Sequence, residues 1–148
     1  MNYFAGEKYK GGLYQFNSLL HWMKNAKIDI AKSASVSTGT FTILDAGCGD
    51  GSMSEYLLKN YPTVKVIGFD ISEKQIAGAV ARCNNYVDRS HFITASFDAF
   101  AHQEPVDFVL ASFSLHLAPS MERAVKIITT PLKKGVSYLY TFLPIYVM

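Results

Sequence analysis

The sequence predicts an α/β fold, a doubly wound parallel sheet with helices on both faces. Short apolar strands alternate with amphipathic helical segments from residue 40 onward, which is the pattern of repeated strand and helix units. The first strand, residues 40–44, runs directly into a turn with glycine at positions 47, 49 and 51, and then into a helix over Ser52–Asn60. This arrangement predicts a ligand-binding loop at the carboxyl edge of the sheet.

Composition limits the class of protein. A chain of 148 residues, 49% hydrophobic and 18% charged, is expected to form one globular core, here residues 40–148 after an N-terminal helical cap and linker over 1–39. The net charge of +2 is small and the lysines are dispersed, so neither nucleic acid nor a membrane is indicated as a partner. Two cysteines suggest neither disulfides nor a metal site, and no secretory leader is recognised, so we expect a cytoplasmic protein without a metal.

Hydrophobic periodicity predicts the other elements. Further strands are predicted at residues 64–70, 91–95, 106–111 and 136–142, with helices beginning after Ser72, which forms a capping box with Gln75, and after Ser120. The side chains expected to be buried by these two helices are Ile76, Ala79, Val80, Cys83, Met121, Ala124, Val125 and Ile128. An amphipathic segment before residue 24 predicts a helix that packs on the sheet or, with nearby tyrosines, covers the ligand.

The glycine turn carries the clearest chemical signal. Gly47, Gly49 and Gly51, with Cys48 among them, permit positive φ and leave no Cβ between the main chain and a ligand. Asp45 precedes the first glycine by two residues, and its carboxylate would repel a pyrophosphate and attract a ligand that bears positive charge. The order D-x-G-x-G-x-G therefore disfavours a dinucleotide, whose fingerprint is G-x-G-x-x-G.

Asp70 supplies the second part of the pattern. It ends the second predicted strand, 19 residues beyond Gly51. A carboxylate at that strand tip is placed to accept two hydrogen bonds from the hydroxyls of a ribose. The alternative role is that of a turn or helix-capping aspartate. Ile71, which follows it, is assigned to the same site.

Together these residues resemble the S-adenosylmethionine site of class I methyltransferases, which have a Rossmann-like sheet. The order strand, S-F-S-L-H-L, proline, helix, L-K-K-G and strand is similar to the small-molecule enzymes of the trans-aconitate methyltransferase type. This resemblance covers residues 40–143 and implies S-adenosylmethionine as the cofactor and methyl transfer to an oxygen, nitrogen or carbon atom of a small molecule. The Asn/Asp-Pro-Pro-aromatic tetrad of enzymes that methylate amino groups of DNA is missing, which disfavours nucleic acid.

The resemblance also implies roles for residues after the third and fourth strands. In the family an acidic residue after the third strand usually accepts a hydrogen bond from the adenine amino group. Here either Ser96 or Asp98 could do so, with Phe97 beside the ring. Ser112 is expected to contact the cofactor, and His116 to orient the substrate or to act as a general base.

Two other functions stay open at this point. One is a non-catalytic domain that binds S-adenosylmethionine or serves as a scaffold. The other is a NAD-type oxidoreductase, which the glycine spacing disfavours. Members of the resembling family, with strand order 3-2-1-4-5, continue with a helix and an antiparallel strand pair. Because the sequence stops after the fifth strand, we expect a portion of a longer protein or a homo-oligomer formed through that edge, with weak methyl transfer by this chain alone.

Overall fold

The computed structural model describes residues 39–112, 114–133 and 139–142. The predicted N-terminal helix and linker therefore lie outside the described residues, apart from Gly39. Along the described chain the helices and strands are β1 (Phe41–Ala46), α1 (Ser52–Asn60), β2 (Val64–Asp70), α2 (Glu73–Arg82), β3 (Ser90–Thr94), β4 (Phe108–Ser112), α3 (Met121–Thr129) and β5 (Leu139–Phe142). Single 3₁₀ turns at Asn84–Tyr86 and Leu115–Leu117 precede β3 and α3.

The strands form one parallel sheet in the order β3-β2-β1-β4-β5, which confirms the predicted order. β1 is central, because the connections leave it in opposite directions toward β2 and toward β4. Asp45 lies opposite Gly68 of β2 and Leu110 of β4, and Asp70 lies opposite Thr94 of β3. The carboxyl ends of these four strands therefore meet at one edge, at the switch point where open α/β sheets bind ligands.

The limits of three strands differ from those predicted. α1 and β2 begin and end at the predicted residues. β1 continues to Ala46, because its backbone still pairs with β2 there, and β3 lies one residue earlier than predicted. β4 begins at Phe108 rather than at residue 106, since Val106 instead forms an isolated bridge with Leu132. The predicted start of β5 at residue 136 lies outside the described residues.

Apolar side chains cover both faces of the sheet. Ile43 of β1 belongs to a cluster that includes Leu57 and Leu58 of α1, and all three are almost fully buried. Leu44, the next residue of β1, belongs to the cluster on the other face, which includes Ile128 of α3. Alternate residues of the central strand thus enter opposite layers, as expected for a parallel strand covered on both sides.

Two apolar side chains predicted to be buried are exposed. Val80 on α2 is 53% exposed and Met121 at the start of α3 is 43% exposed. The buried residues of these helices and their ends are Ile76, Ala79, Cys83, Ala124 and Ile128. Val80 follows Ala79 by one residue, about 100° around the helix, so it turns away from the sheet. The buried stripe of α2 therefore includes only some of the apolar residues of that helix.

Serine side chains begin α2 and α3, as predicted. Ser72 Oγ accepts a hydrogen bond from Gln75 N–H at 3.3 Å, and Ser120 Oγ accepts one from Arg123 N–H at 3.3 Å. The capping box predicted for α2 is only half formed. Ser72 N–H donates to Asp70 Oδ1 at 2.9 Å and not to the Gln75 side chain. The aspartate that ends β2 therefore also fixes the start of α2.

The three helices are short. α1, α2 and α3 contain 9, 10 and 9 residues. A helix that crosses a bilayer needs about 20 consecutive apolar residues. Within the part of the chain that the structure describes, no helix is long and apolar enough to cross a membrane.

Candidate functional site

The glycine turn after β1 has the backbone geometry that the sequence predicts. Gly47, Gly49 and Gly51 have φ values of 72°, 56° and 78°. A Cβ on Gly47 would lie 2.3 Å from Ser114 Cβ, and a Cβ on Gly51 would lie 2.9 Å from Ala79 Cα. A Cβ on Gly49 would meet its nearest described neighbour only at 4.0 Å. Among the described residues, the turn is therefore tightly packed at both ends and open at its centre.

Hydrogen bonds join the main chain of the turn to β2. Cys48 N–H donates to Phe69 O at 2.9 Å, and Gly49 N–H donates to Asp70 Oδ2 at 3.0 Å. Asp70 also accepts a hydrogen bond from Ser72 N–H. It therefore acts as a turn aspartate, which was the alternative to ribose binding. The two roles are compatible, since each carboxylate oxygen has a further lone pair that can accept a hydrogen bond.

Asp45 lies in β1, two residues before the turn, and is buried. Its side chain is 1% exposed, and its Oδ2 accepts a hydrogen bond from Ser54 Oγ of α1 at 2.8 Å. Burial raises the pKa of Asp45 to about 6, the Ser54 hydrogen bond opposes this change, and the nearby charge of Asp70 adds to it. A buried carboxylate without a cationic partner is costly when it is ionised. The site therefore favours a ligand that brings positive charge close to Asp45.

Cys48 contributes its main chain, not its thiol, to the turn. The side chain is buried, and its Sγ lies 3.0 Å from where a Cβ on Gly68 would be. Burial raises the pKa of the Cys48 thiol, and the charges of Asp45 and Asp70 raise it further. The thiol is therefore neutral at physiological pH and is a poor nucleophile.

Arg82 at the end of α2 fixes the outer side of the turn. Its Nε and Nη2 donate to the Asp50 carbonyl and carboxylate at 3.1 and 3.0 Å, and its Nη1 donates to Glu55 Oε2 at 3.3 Å. Asp50 in turn accepts from Ser52 N–H at 3.1 Å, at the start of α1. These contacts connect α1, α2 and the turn.

Ser114 connects the loop after β4 to the same turn. Its buried Oγ donates to the Ala46 carbonyl at 2.7 Å, and its Cβ occupies the space beside Gly47. Ser112 is the last residue of β4, so its backbone lies at the carboxyl edge of the sheet. The loop after β4, which is expected to face the methyl acceptor, is thus in van der Waals contact with the glycine turn, which is expected to hold the cofactor.

His116 lies in the 3₁₀ turn between β4 and α3. Its Nδ1 is buried and has no hydrogen-bond partner among the described residues. Burial lowers the pKa of His116, so the imidazole is neutral at physiological pH and can accept a proton. Within the described part, no hydrogen bond links His116 to the other candidate residues, and its connection to the turn passes through Ser114.

Aromatic packing positions the residues after β3. Phe97 packs edge-on against Phe69, the residue before Asp70, with ring centroids 5.2 Å apart and an interplanar angle of 81°. Phe100 stacks on Phe69 at 4.1 Å. Ile71, on the other side of Asp70, is 74% exposed. An apolar surface beside the tip of β2 is therefore available at Ile71.

The two candidates for the adenine amino group differ in their surroundings. Ser96 Oγ accepts a hydrogen bond from Ala99 N–H at 3.2 Å and so fixes the turn that follows β3. Asp98 is exposed, and its Oδ1 lies 3.9 Å from Arg123 Nη2. The side-chain oxygens of both residues can still accept a further hydrogen bond. Both residues remain candidates.

Three functional contacts were not predicted from the sequence: Ser54 to Asp45, Ser114 to Ala46, and Arg82 to Asp50. A serine in the apolar stripe of α1 was the available signal for Ser54, since a buried hydroxyl requires a partner. For Ser114 and Arg82 the partners are 68 and 32 residues away in sequence, so no local pattern identifies them.

The fold and the site define an α/β domain with a glycine turn suited to a cationic ligand. Residues 43–135 match the methyltransferase domain family, and the chain belongs to that family.

Individual relatives and a solved structure are each similar to part of the chain. Trans-aconitate 2-methyltransferase of Variovorax paradoxus (strain S110) is 30% identical over 94 residues, which are 63% of this chain and 35% of that protein. Ribosomal RNA small subunit methyltransferase H of Synechococcus sp. (strain CC9311) is 33% identical over 73 residues, which are 49% of this chain and 24% of that protein. The plantazolicin methyltransferase BpumL in complex with SAH superposes with a TM-score of 0.55 at 29% identity, covering 63% of this chain and 35% of that chain. The chain thus spans about a third or less of the length of these proteins.

The buried Asp45 predicts a specific dependence of stability on pH. Its pKa is about 6 in the folded protein against an ordinary value of 3.8, so the folded state holds this proton more tightly than the unfolded state. Its contribution to stability is therefore lost as the pH rises from about 4 to about 6, and the loss persists above that range. The Asp45→Asn variant has no such loss. Relative to wild type, its free energy of unfolding should rise by about 2 kcal/mol between about pH 4 and pH 7.

Urea denaturation of the ligand-free protein at several pH values measures this difference. An effect of the new amide that does not depend on pH cancels, because the comparison uses only how the difference in free energy of unfolding changes with pH. Ser90→Ala, which changes no titratable group, is the control and should give a nearly constant difference. A difference for Asp45→Asn that is equally independent of pH would contradict the assignment of a raised pKa to Asp45.

Proposed function

We propose that this chain binds S-adenosylmethionine at the carboxyl edge of its sheet and transfers the methyl group to a small molecule. Membership of the methyltransferase family, with a structural neighbour in complex with SAH, indicates the cofactor, since SAH, S-adenosylhomocysteine, is what remains after the methyl group has been transferred. The likeness to Trans-aconitate 2-methyltransferase supports a small-molecule acceptor. The observation that carries the proposal is a turn that is open at Gly49 among the described residues and directly follows the strand that holds the buried carboxylate of Asp45.

The hydrogen bonds of the turn argue against a phosphate ligand. A loop that cradles phosphate directs its main-chain N–H groups toward the ligand. Here the N–H groups of Cys48, Gly49 and Gly51 donate to Phe69 O, the Asp70 carboxylate and Cys48 O. With these donors bonded inside the protein and two carboxylates nearby, the turn suits a cation. The NAD-type alternative is correspondingly disfavoured.

In this proposal, described residues serve as partners for the ammonium and sulfonium groups, the ribose and the adenine of the cofactor. The negative charges of Asp45 and Asp70 would attract its ammonium and sulfonium groups. Asp70 retains lone pairs for the ribose hydroxyls. The exposed Ile71 and the edge of Phe97 would pack against adenine, and Ser96 or Asp98 would accept from its amino group. Gly47, Cys48, Gly49 and Gly51 would line the site with main chain, and Ser112 would close it from β4.

The bound cofactor supplies a methyl group on a positively charged sulfur, so the leaving group needs no protonation. The protein must then align the acceptor with that methyl group and keep water away. His116 is neutral, and its buried Nδ1 has no partner among the described residues, so it can orient an acceptor hydroxyl or remove its proton. Ser114 fixes the segment before His116 against the turn.

Methylation of RNA is the second candidate. The match to ribosomal RNA small subunit methyltransferase H favours it, although this chain spans only 24% of that protein. The small net charge of +2 weighs against it, because RNA binding depends on neutralising phosphates. A non-catalytic cofactor-binding domain is the remaining alternative.

We further propose a cytoplasmic protein. Cys48 and Cys83 are both free and buried, which is compatible with a reducing compartment. β5 is the edge strand of the sheet that the described residues form. Association of two copies along β5 stays a prediction.

Replacing Gly49 with valine should abolish cofactor binding. The branched side chain would occupy the open centre of the turn, and φ of 56° disfavours a β-branched residue. Calorimetric titration with S-adenosylmethionine should show affinity weakened at least about 100-fold, as expected when a ligand's place is sterically filled. Gly39→Val is the control, because a Cβ at Gly39 meets no described atom within 4 Å. Thermal unfolding checks that both variants are folded. Wild-type affinity in folded Gly49→Val would contradict the placement of the cofactor.

Transfer of a radiolabelled methyl group tests the acceptor class. Small carboxylic acids, phenols and amines are offered beside ribosomal RNA, and we expect label only in small molecules. Label in RNA alone would establish the second candidate. Cofactor binding without any labelled acceptor would favour the non-catalytic domain.

His116→Asn should slow transfer to the labelled acceptor. Loss of a general base typically lowers kcat by about 100-fold or more. Cofactor affinity should stay unchanged, since His116 is assigned to the acceptor. His91→Asn, which changes an exposed histidine on β3, is the control. Equal rates for the two variants would remove His116 from the reaction.

A further inference from the structure

Ser54 is an unusual residue for the buried face of α1. It is fully buried, beside the apolar side chains of Met53, Leu57 and Leu58. Its hydroxyl does not bond to the carbonyl one turn earlier, as serines in helices often do. Oγ donates instead to Asp45 Oδ2 at 2.8 Å. A polar side chain thus occupies a core position where an apolar one is expected, and it contacts the Asp45 carboxylate.

The surroundings of Asp45 make this hydrogen bond important. The titratable groups near Asp45 are Asp70 of β2, Cys48 of the turn and Cys83 at the end of α2. Asp70 is negative and the two thiols are neutral, because burial raises the pKa of each thiol. Among the described residues, Ser54 is the one donor bonded to the Asp45 carboxylate, and no cation pairs with it. The other oxygen, Oδ1, is left for a ligand.

We propose that Ser54 is a positioning residue for cofactor binding, whose hydroxyl holds Oδ2 of Asp45 and leaves Oδ1 for the positive charge of the cofactor. This inference rests on the proposed function. Ser54 acts through Asp45 and does not itself contact the cofactor. A hydroxyl donor stabilises the ionised carboxylate, which is the form that attracts a cation.

Cofactor affinity should therefore depend on pH in a way that Ser54 controls. With the pKa of Asp45 at about 6, affinity should fall about tenfold for each pH unit below that value. Removal of the hydroxyl takes away the interaction that lowers this pKa. In Ser54→Ala the fall in affinity should begin at higher pH, so that binding near pH 7 is weaker while binding at high pH approaches that of wild type.

Calorimetric titration with S-adenosylmethionine and S-adenosylhomocysteine across this pH range tests the proposal. Ser54→Ala should move the midpoint upward by about one pH unit, which weakens binding by about twofold near pH 7 and by about tenfold near pH 5. Ser54→Thr, which keeps a hydroxyl, should restore the wild-type midpoint. Ser90→Ala is the control, because Ser90 Oγ donates to the Tyr86 carbonyl at 2.9 Å, a contact that involves no residue of the site. Should Ser54→Ala not fold, Ser54→Cys, whose thiol is a weak donor, is titrated instead.

The outcomes separate this proposal from the proposed function. A merely structural Ser54 would weaken binding equally at every pH, and an unchanged midpoint in Ser54→Ala therefore overturns the inference. Absence of S-adenosylmethionine binding by the wild type at any pH overturns the proposed function as well. Carbon-13 NMR of the Asp45 carboxyl in the ligand-free protein gives a second readout. Its pKa should rise in Ser54→Ala and stay at the wild-type value in Ser90→Ala.

Discussion

Close contact of the glycine turn with the segments on either side of it determines the geometry of the site. At Gly47 the turn meets Ser114 from the loop after β4, and at Gly51 it meets Ala79 of α2, with no room for a Cβ at either point. The position of the turn is therefore set by packing from two sides as well as by its own glycines. Because the carboxyl edges of four strands converge there, any shift of the turn would also move Asp45 relative to Asp70.

The electrostatics of the site follow from this packing. The N–H groups of Cys48 and Gly49 are bonded to β2 and that of Gly51 is bonded to Cys48 O, so they offer little to an anion. Asp45 is buried, its carboxylate receives one hydrogen bond from the described part of the chain, and it lies near the charge of Asp70. In the absence of a ligand this arrangement is unfavourable, since ionised carboxylates are poorly solvated there. A ligand with positive charge relieves that cost, which links the stability of the domain to the charge of its cofactor.

Much of this fold could be predicted from local sequence signals. α1 and β2 were predicted with their observed limits because a glycine turn, an asparagine–tyrosine–proline segment and a serine cap mark their ends. The positive φ of the three glycines followed from their place in a tight turn, and the convergence of Asp45 and Asp70 followed from strand order. Contacts such as Arg82 to Asp50 could not be predicted, since they join residues brought together only by helix packing. Val80 and Met121 were wrongly predicted to be buried, because hydrophobicity does not reveal how wide a helix's contact stripe is.

Calorimetric titration of the wild-type chain with S-adenosylmethionine, and separately with NADH, tests the central claim most directly. A turn whose main-chain donors are bonded internally and whose neighbours are carboxylates should bind a cationic adenosyl ligand and not a pyrophosphate. We predict saturable binding of S-adenosylmethionine by the chain and no detectable heat with NADH. Binding of NADH without binding of S-adenosylmethionine would contradict the account.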